Sequence, residues 1–378
     1  MRKILDVAKP PFSCDVDDAD LLSVLWVHED DINMKKWFIR NFIDLWCYET
    51  DGIQTMSFDK PFSTKLHCFR PEGTKHNYFD KPFPDSSIHD CQLLSRVEWD
   101  RDTLEKKYET ITDLIEECIS NGLYMFLEID CFYIPVALFN QRIHYNSRTL
   151  IYGFDTEQKI LNVADFYGPF DRNVAFKFRE VSYEDFIKAY SSYECSKNLE
   201  HERLLAFKYS STEISLNKGE LKYALKRYLD GFEDPYNNIR FGVKCYDAIS
   251  EELDKKYMDF RLFNFVYSHA KAMKMRAAYM KELDVLDESF TDLSAFDELE
   301  KFALSCRNSL IKFVVSQDKG VKNKVIQLYE KLRDKDIECT RLLMDHIKDA
   351  ENVYRWKKGL KEIEQISADN KVIYADKG

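Results

Sequence analysis

Apolar positions recur at helical spacing near the start of the chain and again beyond residue 217, with strand-like runs between. Residues 17–28 place Leu21, Leu22, Leu25 and Trp26 on one face, and Asp17 and Asp18 suit the N-terminal dipole of a helix. A second helix is predicted over 32–48, carrying Trp37, Ile39, Phe42, Ile43 and Trp46. From about 50 to 100 the pattern breaks into "DKPF" and "PFPDSS" turns and reads as irregular. Residues 103–120 again have helical spacing, through Leu104, Tyr108, Ile111, Leu114, Ile115 and Cys118, with Asn121-Gly122 as a left-handed stop.

A buried strand follows at 123–129, ending at Asp130. Two short apolar runs, 149–154 and 160–166, flank "DTEQ" and predict a hairpin. Another strand reads over 173–181, and Ser182 with Asp185 caps a helix ending near Tyr190. The run 204–210 closes this part as its last strand. Long amphipathic segments then dominate, at 218–230, 240–255, 259–284, 292–316 and 320–349, before "KVIYA" near the end. The pattern predicts an α+β domain over 1–212 and a mainly helical domain over 213–378.

Composition narrows the function classes. A chain of 378 residues with 45% hydrophobic content can bury a substantial core. It has no apolar run long enough for a membrane helix, and its first residues lack the apolar core of a secretory signal. The ten cysteines show neither a CxxC pair nor regular spacing, as expected for a reducing cytoplasm. A formal charge of −11 with no basic stripe argues against a nucleic-acid partner. With no Gly-rich phosphate loop, the common nucleotide-dependent enzymes are not expected either.

Cys14 stands just before the first helix, where a helix N-terminus favours a thiolate; the position equally suits a small buried apolar residue. Cys131 directly follows the buried strand and has no such helix start, which makes it the weaker nucleophile. His67, Cys68, His89 and Cys91 match no common zinc spacing, so no metal site is expected. Glu128 and Asp130 flank a strand end and have acid–base chemistry, although Asp130 also suits a turn cap. Lys222, Lys226 and Arg227 lie on one predicted helix, as a solvated face or a patch for an acidic partner.

The stretches "GLYMFLEIDCFYIP", "TLIYGFD", "ILNVADFYG" and "SYEDFIKAY" resemble the papain-like cysteine protease superfamily. Within it they look like the butirosin-biosynthesis BtrH-type acyltransferases associated with nonribosomal peptide biosynthesis. The resemblance covers roughly 10–190 and more loosely extends to "FGVKCYDAI" and "FVYSHAKAMKMRAAYM". It implies a papain-like α+β domain and acyl transfer through a thioester. An acyl or peptidyl chain would leave the phosphopantetheine of a carrier protein, pass through a cysteine, and form an amide with an amine or peptide. Such enzymes bind no cofactor, ATP or metal of their own. Carried over, Cys14 is the nucleophile and Asp165 the orienting acid, while Tyr133, Tyr145 and Tyr167, read as loop residues, line an apolar acyl groove.

Two positions depart from the family pattern. No Gln precedes Cys14 to donate to an oxyanion, which leaves backbone N–H groups at the helix start for that task. The His that heads the first hairpin strand is replaced by Ser147, with His144 three residues upstream. Serine is not a proton acceptor near neutral pH. Either His144 supplies the base, or the chain is a binder without turnover, or Ser147 is an introduced substitution; a cysteine hydrolase is a further alternative. Alternation predicts that Ser147 shares a face with Thr149, Ile151 and Gly153, pointing between Cys14 and Asp165 and leaving Asp165 without an imidazole.

Overall fold

The computed structural model describes residues 1–13, 16–50, 53–59, 91–100, 106–168, 175–192, 203–234, 239–253, 261–316 and 318–348. The chain divides into two compact units. The first comprises Met1–Asn41, Ser63–Ile214 and Phe260–Ser268; the second comprises Phe42–Phe62, Ser215–Asp259 and His269–Gly378. The break near residue 212 predicted from the sequence is thus accompanied by an exchange of two shorter stretches, 42–62 and 260–268.

The first unit is built on an antiparallel sheet. Its strands are β1 (Arg2–Ile4), β4 (Leu94–Asp100), β5 (Tyr124–Asp130), β6 (Asn146–Asp155), β7 (Ile160–Tyr167), β8 (Ala175–Ser182) and β9 (Arg203–Tyr209). They pair in the order β4-β9-β5-β6-β7-β8, with β1 against the second half of β6, Arg2 opposite Asp155 and Ile4 opposite Gly153. Gly153 makes that approach possible. A Cβ there would stand 2.8 Å from Asn162 Oδ1 and 3.0 Å from the Lys3 carbonyl oxygen, closer than a side chain tolerates.

The predicted hairpin forms as β6 and β7, joined through residues 156–159. Its pairing shifts register between Ile151 and Gly153. The simple alternation therefore ends there: Phe154 rather than Gly153 joins Ile151 in the apolar core.

Among the described residues, this unit holds the helices α1 (Val16–Leu25), α2 (Ile32–Arg40), α3 (Ile111–Ser120) and α4 (Tyr183–Tyr190). Ser182 caps α4 by accepting from the Asp185 N–H, as its sequence predicts. Helix α3 begins later than expected. Thr110 and Asp113 form a reciprocal capping box that fixes its start, so residues 106–110 precede the helix, and 101–105 lie outside the described residues. Gly122, at φ +77°, follows its last turn in the predicted left-handed conformation. Leu114, Ile115 and Ile119 of α3 and Phe186 and Ala189 of α4 pack with Met125, Leu127 and Ile129 of β5 as one core.

The predicted helix 32–48 is corrected. Helix α2 stops at Arg40 because Asn41 is extended (φ −104°, ψ 165°) and Phe42 is left-handed (φ 58°). The apolar run continues instead as strand β2 (Asp44–Thr50) of the second unit. Strand β2 pairs with β3 (Ile53–Asp59) in a four-stranded antiparallel sheet completed by β10 (Phe232–Asp234) and β11 (Ile239–Phe241). Of the irregular chain expected over about 50–100, 53–59 and 94–100 are instead strands β3 and β4, and 60–90 lie outside the described residues.

The helices of the second unit follow their predicted periodicity closely. They are α5 (Lys218–Asp230), α6 (Cys245–Glu252), α7 (Arg261–Glu282, its residues from His269 on), α8 (Ser294–Ser316) and α9 (Lys319–His346). The segment predicted over 240–255 divides, its first residues forming β11 and a short 3₁₀ turn before α6. "KVIYA" lies outside the described residues. Among the described residues, no helix is long and apolar enough to cross a membrane.

Candidate functional site

The head of β6 brings two of the predicted site residues, Ser147 and Asp165, together. Ser147 Oγ donates to Asp165 Oδ2 on β7 at 2.9 Å, which places the two side chains on one face of the hairpin as alternation predicts. Thr149, also on that face, donates to the same oxygen at 3.3 Å and lies 3.4 Å from the Tyr167 hydroxyl. The Phe166 N–H donates to the other carboxyl oxygen, Oδ1, at 2.5 Å. Among the described residues Asp165 has no imidazole partner, though it does have hydrogen bonds.

Burial pushes the Asp165 carboxyl up to about 6, overcoming the opposing hydrogen bonds from Phe166 N–H, Ser147 and Thr149; the charge of Asp17 adds to the rise. An unfolded aspartate titrates near pH ~3.9. Between roughly pH 4 and pH 6 the folded chain holds a proton that the unfolded chain has released, so stability falls as pH rises through this window. The penalty is complete above about pH 6 and is on the order of 2–3 kcal/mol. Asp165→Asn removes the ionisable group while its Nδ2 can donate to the Ser147 hydroxyl. Its urea midpoint is expected to vary less than the parent's between about pH 4 and pH 7. Equal pH slopes in the two proteins would show that Asp165 is not the source.

His144 precedes β6 in a loop, so strand alternation does not govern its direction. Its Nδ1 lies 2.7 Å from Asp130 Oδ2, at the end of β5. The Asp130 carboxylate is fully buried and uses its other oxygen to accept from the Phe132 N–H at 3.0 Å. Asp130 thus does cap the turn Cys131–Tyr133, and it also holds the imidazole. With the carboxylate as acceptor the hydrogen sits on Nδ1, leaving Nε2 as the basic nitrogen. Phe132 stacks on the imidazole with ring centroids 4.2 Å apart, which fixes the ring plane. Asp130 is the register partner of Asn146 and Ile129 that of Ser147, so the His144–Asp130 pair lies at the same sheet end as Ser147.

The first turn of α1 is tied to this sheet end. Arg148 Nη1, beside Ser147, donates to Asp17 Oδ2 at 2.8 Å. Cys14 lies outside the described residues, as do His67, Cys68 and His89. Cys91 is fully buried, and among the described residues no group of three or more His, Cys, Asp or Glu side chains is arranged to hold a metal.

The three predicted groove tyrosines separate. Tyr133 is half buried, its ring centroid 6.0 Å from that of His144, whereas Tyr145 is half exposed and packs on Phe139 at 4.9 Å. Tyr167 does not line a surface groove: it is the last residue of β7 and only 1% exposed. Burial raises its phenol well above the ordinary value, as expected for a core side chain. Cys131 is likewise buried in that core. In the second unit, Lys226 and Arg227 do not form a free basic face, since Lys226 pairs with Asp230, and Arg227 Nε lies 3.1 Å from the buried Asp44 carboxylate.

Sequence reasoning missed the His144–Asp130 pair and the Arg148–Asp17 tie. An acid before a tight turn, followed within one loop by a His, is the only local signal for the first. No protein-family model matches this chain. No curated protein matches it significantly either.

Proposed function

We propose that the chain is a papain-like acyltransferase that makes an amide through a cysteine thioester, with His144 and Asp130 in the roles of base and orienting acid. The observation that carries this reading is the 2.7 Å contact between His144 Nδ1 and a fully buried carboxylate. A base held by a third group is the arrangement a nucleophilic thiol needs. The tie between Arg148 and Asp17 supports it, because it holds the helix that Cys14 precedes against the strand that follows His144.

In this reading Nε2 of His144 takes the Cys14 proton. The thiolate attacks the carbonyl carbon of a phosphopantetheine thioester, and the pantetheine sulfur leaves with that proton. Backbone N–H groups at the start of α1 stabilise the oxyanion. An amine then attacks the acyl-cysteine, loses its proton to Nε2, and releases the amide and the Cys14 thiol. Water in place of the amine makes the same site a hydrolase.

A second reading, a papain-like binder without turnover, is favoured by Ser147. Its hydroxyl occupies Asp165, the acid that serves the imidazole elsewhere in the family. Intact mass after incubation with an acylated carrier protein separates the readings. The expected result is a covalent acyl adduct on the chain that disappears when an amine is added, with amide formed in equal amount. Free acid in the presence of amine would make the protein a hydrolase. No adduct, with the carrier protein nonetheless bound, would make it a binder.

A further inference from the structure

We infer that Cys47 and Cys245 form a reversible disulfide site that joins strand β2 to helix α6 within the second unit. The two residues come from separate stretches of that unit, Phe42–Phe62 and Ser215–Asp259. Both thiols are free and fully buried. Two observations bring them together. Cys47 is the register partner of Arg240 in the β11–β2 pair, and Cys245 Sγ donates to the Arg240 carbonyl at 3.3 Å. Burial pushes the Cys245 thiol up, and the neighbouring Cys47 thiol adds to the rise.

Both residues flank Arg240, and an S–S bond of roughly 2.05 Å between them needs only local side-chain and backbone adjustment. The oxidant is hydrogen peroxide. One sulfur attacks peroxide and becomes a sulfenic acid, releasing one water. The other thiol then attacks that sulfur and expels the second water, so two thiols lose two electrons and two protons and peroxide becomes two waters. Burial makes the first step slow, because the thiolate forms only on local opening. Proximity makes the second step selective, because the partner sulfur is the nearest nucleophile.

The bond would join residues far apart in the chain and leave fewer conformations open to the unfolded state, which is why it should register as stability. The full-length chain, fully reduced, is treated with hydrogen peroxide, alkylated and digested. The expected product is a peptide pair linked through Cys47 and Cys245, lighter by two hydrogens than the reduced pair. A thermal midpoint raised by several degrees should accompany it, and dithiothreitol should reverse both changes. Cys47→Ser and Cys245→Ser should each abolish the link and the rise. Recovery of Cys47 and Cys245 as alkylated thiols while other cysteines are oxidised would overturn the inference, as would sulfinic acid at either without the link. The linked peptide is sought in the unsubstituted chain, so the result stands even where a serine variant does not fold.

Discussion

His144→Ala is expected to lower acyl transfer by roughly 100-fold or more, the usual contribution of a positioned general base. The imidazole is held from two sides, by Asp130 Oδ2 at 2.7 Å and by the Phe132 ring at 4.2 Å, so its removal deletes an oriented base and not a mobile surface group. Its side chain is 44% exposed, but its loss leaves the buried Asp130 with only the Phe132 N–H among the described residues, so the urea midpoint of His144→Ala is measured beside its rate. Single-turnover rates with an acylated carrier protein measure the effect. Ser147→His in the His144→Ala background should recover part of the rate, because it puts an imidazole beside Asp165, the acid that now receives the serine hydroxyl. An undiminished rate in His144→Ala would remove His144 from the chemistry.

The largest expected loss of stability comes from Asp336→Ala in the second unit. Asp336 is fully buried on α9. Its Oδ2 accepts from the Tyr228 hydroxyl, and from the Tyr246 hydroxyl at 3.0 Å, and lies 3.3 Å from His269 Nε2. Arg276, also fully buried, has its guanidinium pulled down to about 9 by desolvation, with the charge of Asp336 opposing the shift. Truncating the acid strands two phenols and removes a negative charge that favours the buried guanidinium. Such a break costs about 3–5 kcal/mol. Arg276→Met is expected to cost far less, because Asp336 keeps both phenolic donors and the cavity is refilled by an apolar chain of similar length. Urea unfolding of the two variants tests the order. A loss below about 1 kcal/mol in Asp336→Ala would show that the cluster does not depend on its acid.

Local rules made much of the architecture legible. The boundaries of α5 follow from 3.6-residue spacing, with Asn217 as its cap, and α4 is set by Ser182 and Asp185. The hairpin β6–β7 follows from two apolar runs around a polar turn. What escaped depended on distant partners. Strand β2 reads as a continuation of α2 because its aromatic and aliphatic residues suit either period. Its pairing with β11, nearly two hundred residues later, decides the matter. Strand β4 owes its form to β9, Leu94 standing opposite Tyr209.

The candidate site was legible in the same measure. Ser147 and Asp165 share a face by strand alternation alone, and the hydrogen bond between them follows from that. The direction of His144 could not be read, since it lies in a loop and answers to an acid that is also a turn cap. Tyr167 was misplaced for a related reason: an aromatic near a Gly-Pro turn reads as loop, yet the ladder with β8 extends to its pairing with Ala175.

The pH dependence of cysteine alkylation, mapped residue by residue by peptide mass, tests the central assignment most directly. Cys14 is predicted to take the label first, at a rate that rises below the usual thiol range near pH ~8.5, and His144→Ala is predicted to move that rise upward. Labelling of Cys131 with Cys14 inert, or the same profile with and without His144, would contradict the account.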